Sequence, residues 1–314
     1  MLHAYCLFDD FNMKLIRALE AHNIKINLQP SGKPRPSSDE MKKLLKANDI
    51  IIIGTSQKIN EDMFDSITNP KIIATASVGV DHIRIPEDKK SMVTVLNAPT
   101  ANAESVAEYI ITTALMCRKR IIESCRLYTV GKNNKQLRQK PEDLQGAVLG
   151  IIGAGNISQK VMEFANLLNM KILCYTAHPD IHIDLQKKVH IQFVSLKELA
   201  KVSDIISVNL PYSPETKNLI SPEIVSLFKD TAIFISISRK EVMDISALLR
   251  KASACSDFYV CLDIDVFPEI AESYSFSDNV IITPHIAGGT VEARQRMFQE
   301  VTDRIINYLQ QENS

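Results

Sequence analysis

The sequence has 314 residues, a hydrophobic fraction of 45% and a formal net charge of −1, values that describe an ordinary globular protein rather than a disordered or fibrous one. This near-neutral charge, with no basic stripe, argues against a nucleic-acid-binding surface. The longest uncharged apolar stretch, Tyr109 to Cys117, is too short to span a bilayer. No basic region precedes an apolar one at the N-terminus, so we expect neither a secretory signal nor a membrane partner.

The cysteines form no C-x-x-C pair and lie mostly in apolar segments, at Cys6, Cys117, Cys125, Cys174, Cys255 and Cys261. We expect reduced, buried thiols and a cytoplasmic location. No metal site is predicted.

Short β-branched runs alternate with helical patterns in the first hundred residues. Strands are predicted at Ile24–Leu28, Ile50–Ile53, Ile72–Thr75 and Val93–Leu96, with helices at Met13–Ala21, Asp39–Ala47 and Glu61–Ile67. Ala101 to Arg126 has the pattern of one long connecting helix, and the polar run Gly131–Asp143 is expected to form an exposed loop or arm.

A second series of strands starts at Val148. It continues through Ile172–Tyr175, Ile205–Val208, Ala232–Ile235, Tyr259–Ile264 and Val280–Ile282, and a last helix is expected at Thr290–Gln310. Strands separated by helices indicate βαβ units and parallel sheets covered on both faces. The sequence therefore predicts an α/β protein with two doubly wound parallel-sheet domains.

The stretch Val148–Ser158 is typical of a buried strand, a glycine-rich turn and the start of a helix. Gly153 and Gly155 permit a tight turn and the approach of a ligand to bare backbone. The helix start at Asn156 and Ile157 offers backbone N–H groups and a partial positive charge to a pyrophosphate. This is most of the G-x-G-x-x-G fingerprint of dinucleotide binding, with Ser158 in the place of the third glycine.

Three further segments place polar residues directly after an apolar strand, where ligands bind in open α/β sheets. Ala76–His82 offers small residues whose N–H groups can hold a carboxylate. Phe234–Arg239 ends in an arginine, which fits a carboxylate bidentately, and Ile281–Gly289 carries His285, a side chain suited to exchange a proton near neutral pH. Each also has an ordinary structural interpretation, as a turn, an ion-pairing arginine or a capping histidine.

Seven segments from about Ile50 to Met297 together resemble the D-isomer-specific 2-hydroxyacid dehydrogenases, which are nicotinamide-dependent enzymes. They are Ser77–Ile83, Asn97–Glu108, Leu144–Gly146, Asn209–Pro211 with Glu215 and Thr216, Ser238–Arg239, Leu262–Asp263 and Thr283–Thr290. The resemblance implies a Rossmann cofactor domain, residues 100–287, inserted into a flavodoxin-like substrate domain, residues 1–99 with 288–314. It also implies a homodimer that associates through Ala101–Asp143.

For the reaction, the resemblance implies that His285 donates a proton to the substrate carbonyl oxygen as hydride arrives, and removes it in reverse. Arg239 would bind the substrate carboxylate with help from the backbone of Val78 and Gly79. A carboxylate would hold His285 in its orientation. Glu269 matches that position best, but the spacing is irregular by one residue, so Glu272 stays an alternative.

For the cofactor, the resemblance implies that Asp263 meets the nicotinamide amide and that Thr216 or the backbone near Leu210 lines the ribose side, with Gly288 also in the site. An NAD enzyme would place an acidic residue about twenty residues past the glycines. This sequence has Thr176 and His178 there, which could hydrogen-bond a 2′-phosphate, although Asp180 is close. We therefore expect NADP or NAD, with NADP favoured.

Departures from the family pattern leave alternatives open. Lys240 follows Arg239 where the family has glycine, and Ile270 follows Glu269 where it has proline. The predicted function is reduction of a small 2-oxo acid, since Gly54–Lys58 lacks arginines for a phosphorylated substrate. The alternatives are a dinucleotide-sensing binding protein on the same fold and a dehydrogenase of another substrate class, such as phosphite or formate.

Overall fold

The computed structural model describes residues 1–182, 184–185, 189–264 and 277–312. The chain divides into two units. Unit 1 comprises Met1–Asn102 and Val291–Ser314, and unit 2 comprises Ala103–Thr290. In chain order, unit 2 is therefore inserted between the two segments of unit 1.

Unit 1 contains a five-stranded parallel sheet with the strand order β2-β1-β3-β4-β5. Its strands are β1 (Leu2–Cys6), β2 (Ile24–Leu28), β3 (Ile50–Ile53), β4 (Lys71–Thr75) and β5 (Val93–Leu96). This is the flavodoxin-like order, in which successive strands are added first on one side of β1 and then, from β3 onward, on its other side. Ligands of such sheets bind at the carboxyl ends of the strands.

Helices cover both faces of the unit 1 sheet: α1 (Met13–Ala21), α2 (Ser38–Ala47) and α9 (Val291–Glu312). The start of α2 is fixed by a capping box, in which Ser37 and Glu40 each accept a backbone N–H bond from the other. Val301 and Ile305 of α9 are buried in one cluster with residues of β1, β3 and α1. The C-terminal helix is thus part of the core of unit 1.

Unit 2 contains a seven-stranded parallel sheet with the order β12-β11-β10-β9-β6-β7-β8. Its strands are β6 (Val148–Ile152), β7 (Lys171–Tyr175), β8 (Ile191–Phe193), β9 (Ile205–Val208), β10 (Ile233–Ser236), β11 (Tyr259–Asp263) and β12 (Val280–Thr283). Counted within the unit, the first six follow the Rossmann order 3-2-1-4-5-6, and β12 extends that sheet by one strand. The predicted fold class is confirmed.

The helices of unit 2 are α3 (Ala103–Arg118), α4 (Ile121–Thr129), α5 (Asn156–Leu167), α6 (Leu196–Val202), α7 (Pro222–Ser226) and α8 (Ile245–Ala254). The prediction of a single helix from Ala101 to Arg126 is wrong, because Arg120 adopts a left-handed backbone with φ of 52°. Its buried guanidinium contacts Glu123 at 3.0 Å and Asp257 at 2.8 Å. These ion pairs stabilise a break that neither glycine nor proline marks.

Other departures are smaller. The strands β1 and β8 were not predicted, and Glu61–Ile67 forms a short 3-10 helix, Glu61–Phe64, instead of an α-helix. The six cysteines are free thiols, but Cys125 is exposed, contrary to the expectation of burial. None of the helices in the described ranges combines the length and apolar character that crossing a bilayer requires.

Candidate functional site

The turn between β6 and α5 needs glycine at its first position. Gly153 has φ of 104°, and a Cβ built there would lie 2.9 Å from Leu210 Cδ2 and 3.1 Å from the carbonyl oxygen of Asn209. Its N–H donates to the carbonyl of Tyr175, at the end of β7, over 2.8 Å. The turn therefore packs closely against the loop after β9 and is hydrogen-bonded to the neighbouring strand β7.

The second glycine of the turn borders open space. Apart from its chain neighbours and the backbone of α5, no heavy atom of the described residues lies within 4 Å of the position that a Cβ of Gly155 would occupy. Gly155 is the N-cap of α5, and its lack of a side chain leaves the first turn of the helix without a side-chain cap. An exposed helix start beside bare backbone fits the pyrophosphate of a dinucleotide.

Ser158, in the place of the third glycine, is fully buried. The side-chain amide of Asn209 donates to its Oγ at 3.2 Å, and Ser207 Oγ donates to Asn209 Oδ1 at 3.0 Å. A glycine would leave the Asn209 amide without this acceptor. The serine is therefore part of a polar chain that joins α5 to the end of β9.

His285 follows β12 in a turn that Asp263 holds in place. Asp263 is buried at the end of β11, and its carboxylate accepts from Thr283 Oγ1 at 2.6 Å, the Ile286 N–H at 2.7 Å and the Ala287 N–H at 2.8 Å. His285 is exposed and has φ of 54°. A left-handed conformation costs an ordinary residue about 1 kcal/mol. The bonds to Asp263 offset that cost and hold the backbone of the turn on both sides of His285.

Arg239 follows β10 and is half-buried. The preceding Ser238 is buried; its Oγ donates to the Val208 carbonyl at 3.1 Å and accepts from the Leu210 N–H at 3.0 Å. These bonds fix the strand end from which Arg239 projects. Lys240 begins a 3-10 helix, Lys240–Val242, whose right-handed backbone requires no glycine.

Most of the predicted unit 2 residues lie along one edge of the sheet. The strands β7, β6, β9, β10, β11 and β12 are neighbours, and all run parallel. Their carboxyl ends therefore meet at the same edge, with about 4.8 Å between neighbours. The predicted residues at or shortly after these ends are Thr176, Gly153, Leu210, Arg239, Asp263 and His285.

The remaining predicted cofactor residues differ in what their side chains do. Thr216 Oγ1 donates to the Pro211 carbonyl and accepts from the Ser213 N–H, both at 2.8 Å, so its hydroxyl stabilises the loop after β9. Thr176 is half-buried and accepts from the His178 N–H at 3.4 Å. Gly288 is half-buried in the turn after His285. The predicted partners of His285, Glu269 and Glu272, lie outside the described residues.

In unit 1, the predicted carboxylate-binding backbone follows β4. Asn97 Nδ2 donates to the Val78 carbonyl at 2.7 Å, and Ser77 Oγ donates to the Gly79 carbonyl at 2.8 Å. Among the described residues, neither the Val78 N–H nor the Gly79 N–H donates a hydrogen bond. Side chains thus bind the carbonyls of Val78 and Gly79, while the N–H groups of the same two residues stay available to a ligand.

A chain of hydrogen bonds runs from His82 through Thr75 and Ser77 to the Gly79 carbonyl of this loop. Because Ser77 Oγ donates to Gly79, the proton between it and Thr75 Oγ1, 2.8 Å away, comes from Thr75. The contact of 3.0 Å between Thr75 Oγ1 and His82 Nε2 then requires the imidazole to donate. The histidine of the Ala76–His82 segment therefore orders the loop.

Four supporting residues escaped the sequence analysis. Asn97 and Ser77 lie within segments that carry the family resemblance but were given no role of their own. Tyr109 and Thr283 share a hydrogen bond of 2.7 Å although 174 positions separate them in sequence. No local pattern signals such a contact.

Comparison with known proteins identifies the family. The profile described as D-isomer specific 2-hydroxyacid dehydrogenase, NAD binding domain, matches residues 111–287, more than half of the chain. The chain belongs to this family. It is 33% identical over 276 residues to a hydroxypyruvate reductase of Thermotoga maritima, which covers 86% of this chain and 88% of that protein. A glyoxylate reductase of Thermofilum pendens is 30% identical over 283 residues, covering 88% and 83% of the two chains.

Solved structures agree with this family membership. A D-lactate dehydrogenase of Aquifex aeolicus, in complex with NAD and lactic acid, has a TM-score of 0.77 and 29% identity, covering 98% of this chain and 95% of that chain. An acyclic imino acid reductase in complex with NADPH and D-Arg has a TM-score of 0.85, covering 99% and 98% of the two chains. With 24% identity, the second likeness concerns the fold alone.

Proposed function

We propose that this protein transfers hydride between a nicotinamide cofactor and a small 2-oxo acid, such as glyoxylate or hydroxypyruvate, to form the D-2-hydroxy acid. The observation that carries the proposal is the shared sheet edge of unit 2, where Arg239 and His285 follow strands of the same parallel sheet that carries the open glycine turn. The two curated relatives named above are reductases of these acids. Unit 2 would be the cofactor domain and unit 1 the substrate domain.

Each residue would have a defined part in the reaction. Bound nicotinamide supplies or accepts the hydride at C2 of the acid. The imidazole of His285 donates a proton to the carbonyl oxygen during reduction and removes it during oxidation. The guanidinium of Arg239 donates to the substrate carboxylate, and the N–H groups of Val78 and Gly79 would donate to the same group. Glu269, with Glu272 as the alternative, would orient His285.

The cofactor would bind along the same edge. The N–H groups at Gly155, Asn156 and Ile157 would donate to the pyrophosphate. Asp263 has about four acceptor positions, of which the turn at His285 uses three, so one stays for the nicotinamide amide. The loop from Leu210 to Thr216, together with Gly288, would line the ribose.

We propose NADP as the preferred cofactor. No carboxylate stands between Cys174 and Pro179 to repel a 2′-phosphate, and Thr176 and His178 offer hydrogen-bonding groups after β7. Asp180 follows in an exposed 3-10 helix. The absent acidic residue at the strand end supports NADP over NAD.

We also propose a homodimer. The helix α4 and the residue after it expose three large apolar side chains, with 49% of Ile121, 82% of Tyr128 and 66% of Val130 accessible. These lie in the Ala101–Asp143 region for which the resemblance implies subunit contact. Light scattering of the wild type and of Tyr128→Asp tests this: a monomeric wild type would contradict the proposal, and a dimer weakened by the substitution would support it.

The function is tested by the absorbance of reduced nicotinamide, with NADPH and NADH separately, against glyoxylate, hydroxypyruvate and pyruvate. We expect oxidation with at least one acid, and His285→Asn should lower turnover by about a hundredfold or more while the cofactor Kd stays unchanged. Asparagine is chosen because it tolerates the left-handed backbone at this position. Unchanged turnover in His285→Asn would remove His285 from the mechanism. Tight cofactor binding without oxidation in the presence of any acid would favour the dinucleotide-sensing alternative.

A further inference from the structure

The turn that carries His285 is connected by hydrogen bonds to helix α3. Tyr109 lies on α3, and its hydroxyl is 2.7 Å from Thr283 Oγ1, which in turn is 2.6 Å from Asp263 Oδ1. Asp263 also accepts the N–H groups of Ile286 and Ala287, on the C-terminal side of His285. The His285 N–H donates to the Thr283 carbonyl at 2.9 Å. Both flanks of His285 are therefore attached to one network.

The direction of these bonds follows from the chemistry of the groups. The Asp263 carboxylate accepts from two backbone N–H groups, and Thr283 supplies its third proton. Once the Thr283 proton points at Asp263, the bond between the two hydroxyls requires Tyr109 to donate. Burial raises the pKa of Tyr109, and the negative charge of Asp263 acts in the same direction, while the hydrogen bond with Thr283 opposes both. The phenol thus keeps its proton and stays a donor.

We propose that Tyr109 is a positioning residue for the proton donor His285, acting through Thr283 and Asp263; this inference rests on the proposed function. The left-handed backbone of His285 aims the imidazole only while the turn from Thr283 to Ala287 keeps its shape. The Tyr109 hydroxyl, on α3, donates to Thr283 Oγ1. The threonine hydroxyl then has one orientation left in which its own proton points at Asp263. Without that donor, Thr283 can rotate, and the turn loses one of its three anchors on the carboxylate.

The inference predicts a loss in turnover without a loss in cofactor binding. Tyr109→Phe keeps the ring and removes only the hydroxyl. We expect kcat to fall about tenfold, because a displacement of about 1 Å at a reacting group can cost up to a hundredfold in rate. The Kd for the reduced cofactor should stay within twofold of the wild-type value, because the glycine turn and the start of α5 are not part of the network, and Tyr109→Phe leaves the fourth acceptor position of Asp263 to the nicotinamide amide.

Tyr259→Phe is the matched control. Tyr259 is a buried tyrosine on β11, the strand that ends at Asp263, and its hydroxyl has no hydrogen-bond partner among the described residues. Removing this hydroxyl should leave kcat unchanged. At the other end of the network, Thr283→Val should lower kcat as Tyr109→Phe does. Thr283→Ser retains the hydroxyl and should keep the wild-type kcat.

A second readout does not depend on activity. Hydrogen exchange of the Ile286 and Ala287 amides should be faster in Tyr109→Phe than in the wild type and in Tyr259→Phe. Wild-type kcat in both Tyr109→Phe and Thr283→Val, or unchanged exchange at these amides, would overturn the inference. So would an equal loss of kcat and cofactor affinity, since that indicates general damage to unit 2. If no acid oxidises the cofactor even in the wild type, the proposed function fails, while the exchange measurement still decides the structural link.

Discussion

The side-chain amide of Asn209 donates to the buried hydroxyl of Ser158 over 3.2 Å, which links the loop after β9 to the helix α5 of the proposed cofactor site. In the usual fingerprint, a third glycine at this position permits close packing between helix and strand. Here the packing is kept, and the extra atoms of serine supply an acceptor for Asn209. The departure from the fingerprint is therefore compensated by a polar contact and does not by itself argue against dinucleotide binding.

Ser158→Ala tests this compensation. The substitution removes the acceptor and leaves the Asn209 amide buried without its partner, so we expect the free energy of unfolding to fall by about 1–3 kcal/mol. The urea midpoint of unit 2 measures the loss. Ser158→Ala combined with Asn209→Leu and Ser207→Ala should recover part of it, because all three members of the polar chain are then gone. A single variant as stable as the wild type would mean that the Asn209–Ser158 bond contributes nothing.

Gly150 and Gly155 separate the structural and binding roles of glycine in the fingerprint region. A Cβ at Gly150 would lie 2.2 Å from Ser203 Oγ and 2.6 Å from Leu199 Cδ2, whereas one at Gly155 meets open space. Gly150→Ala should therefore destabilise unit 2 by about 1–3 kcal/mol through overpacking. Gly155→Ala should leave the thermal midpoint unchanged and weaken cofactor binding, because its methyl group would stand where the pyrophosphate approaches.

Thermal unfolding and a fluorescence titration of reduced cofactor measure the two effects for both variants. The expected result is a crossed pattern, in which each variant changes one quantity and spares the other. Wild-type cofactor affinity in Gly155→Ala would contradict the placement of the pyrophosphate at the start of α5.

The fold could be predicted because its determinants are local. Runs such as Ile50–Ile53 are buried on both faces, and this is the signature of a central strand in a parallel sheet. The strand β1, Leu2–Cys6, was missed because its sequence contains no β-branched residue. The helix break at Arg120 was missed because its cause, the contact with Asp257, joins positions 137 residues apart in sequence.

The same distinction holds for the candidate site. Arg239 and His285 stand directly after apolar strands, so their positions at the sheet edge follow from the strand pattern. Their supports do not. Tyr109 reaches Thr283 across 174 positions, and Asn209 reaches Ser158 across 51. Which polar groups hold the turn of His285 depends on packing that only the folded chain brings about.

Asp204 makes the stability of unit 2 depend on pH. It accepts from the Val148 N–H and from Lys229 Nζ, each at 2.8 Å. Burial acts to raise the pKa of Asp204, but these bonds and the Lys229 charge outweigh it and hold the pKa below its ordinary 3.8. A carboxyl with a depressed pKa stabilises the fold above its unfolded pKa, and this contribution is lost as the pH falls through the folded value. Asp204→Asn should therefore lower the urea midpoint at pH 7, and the difference from the wild type should shrink below about pH 4.

Asp230→Asn is the control for that prediction. Asp230 pairs with Lys251 at 2.6 Å, but 73% of its side chain is exposed, so solvent screens the pair. Its replacement should leave the midpoint unchanged at every pH. A difference between Asp204→Asn and the wild type that stays constant from pH 7 to pH 3 would show that the carboxylate charge is not what stabilises the strand end.

Thr176→Asp tests the proposed preference for NADP. The residue follows β7, on the sheet edge that carries the glycine turn, and it is half-buried. A carboxylate there would repel a 2′-phosphate and could accept from the ribose 2′-OH of NAD. A tenfold change in the ratio of the NADPH Kd to the NADH Kd corresponds to about 1.4 kcal/mol. The repulsion between a carboxylate and a 2′-phosphate a few ångströms apart is large enough to supply this difference. We therefore expect the ratio of the NADPH Kd to the NADH Kd to rise at least about tenfold in Thr176→Asp. The uncharged Thr176→Asn should change that ratio far less, because it alters shape without adding charge.

Equal Kd ratios in Thr176→Asp and Thr176→Asn would mean that the 2′-position lies away from this strand end. The argument for NADP from Thr176 would then be wrong.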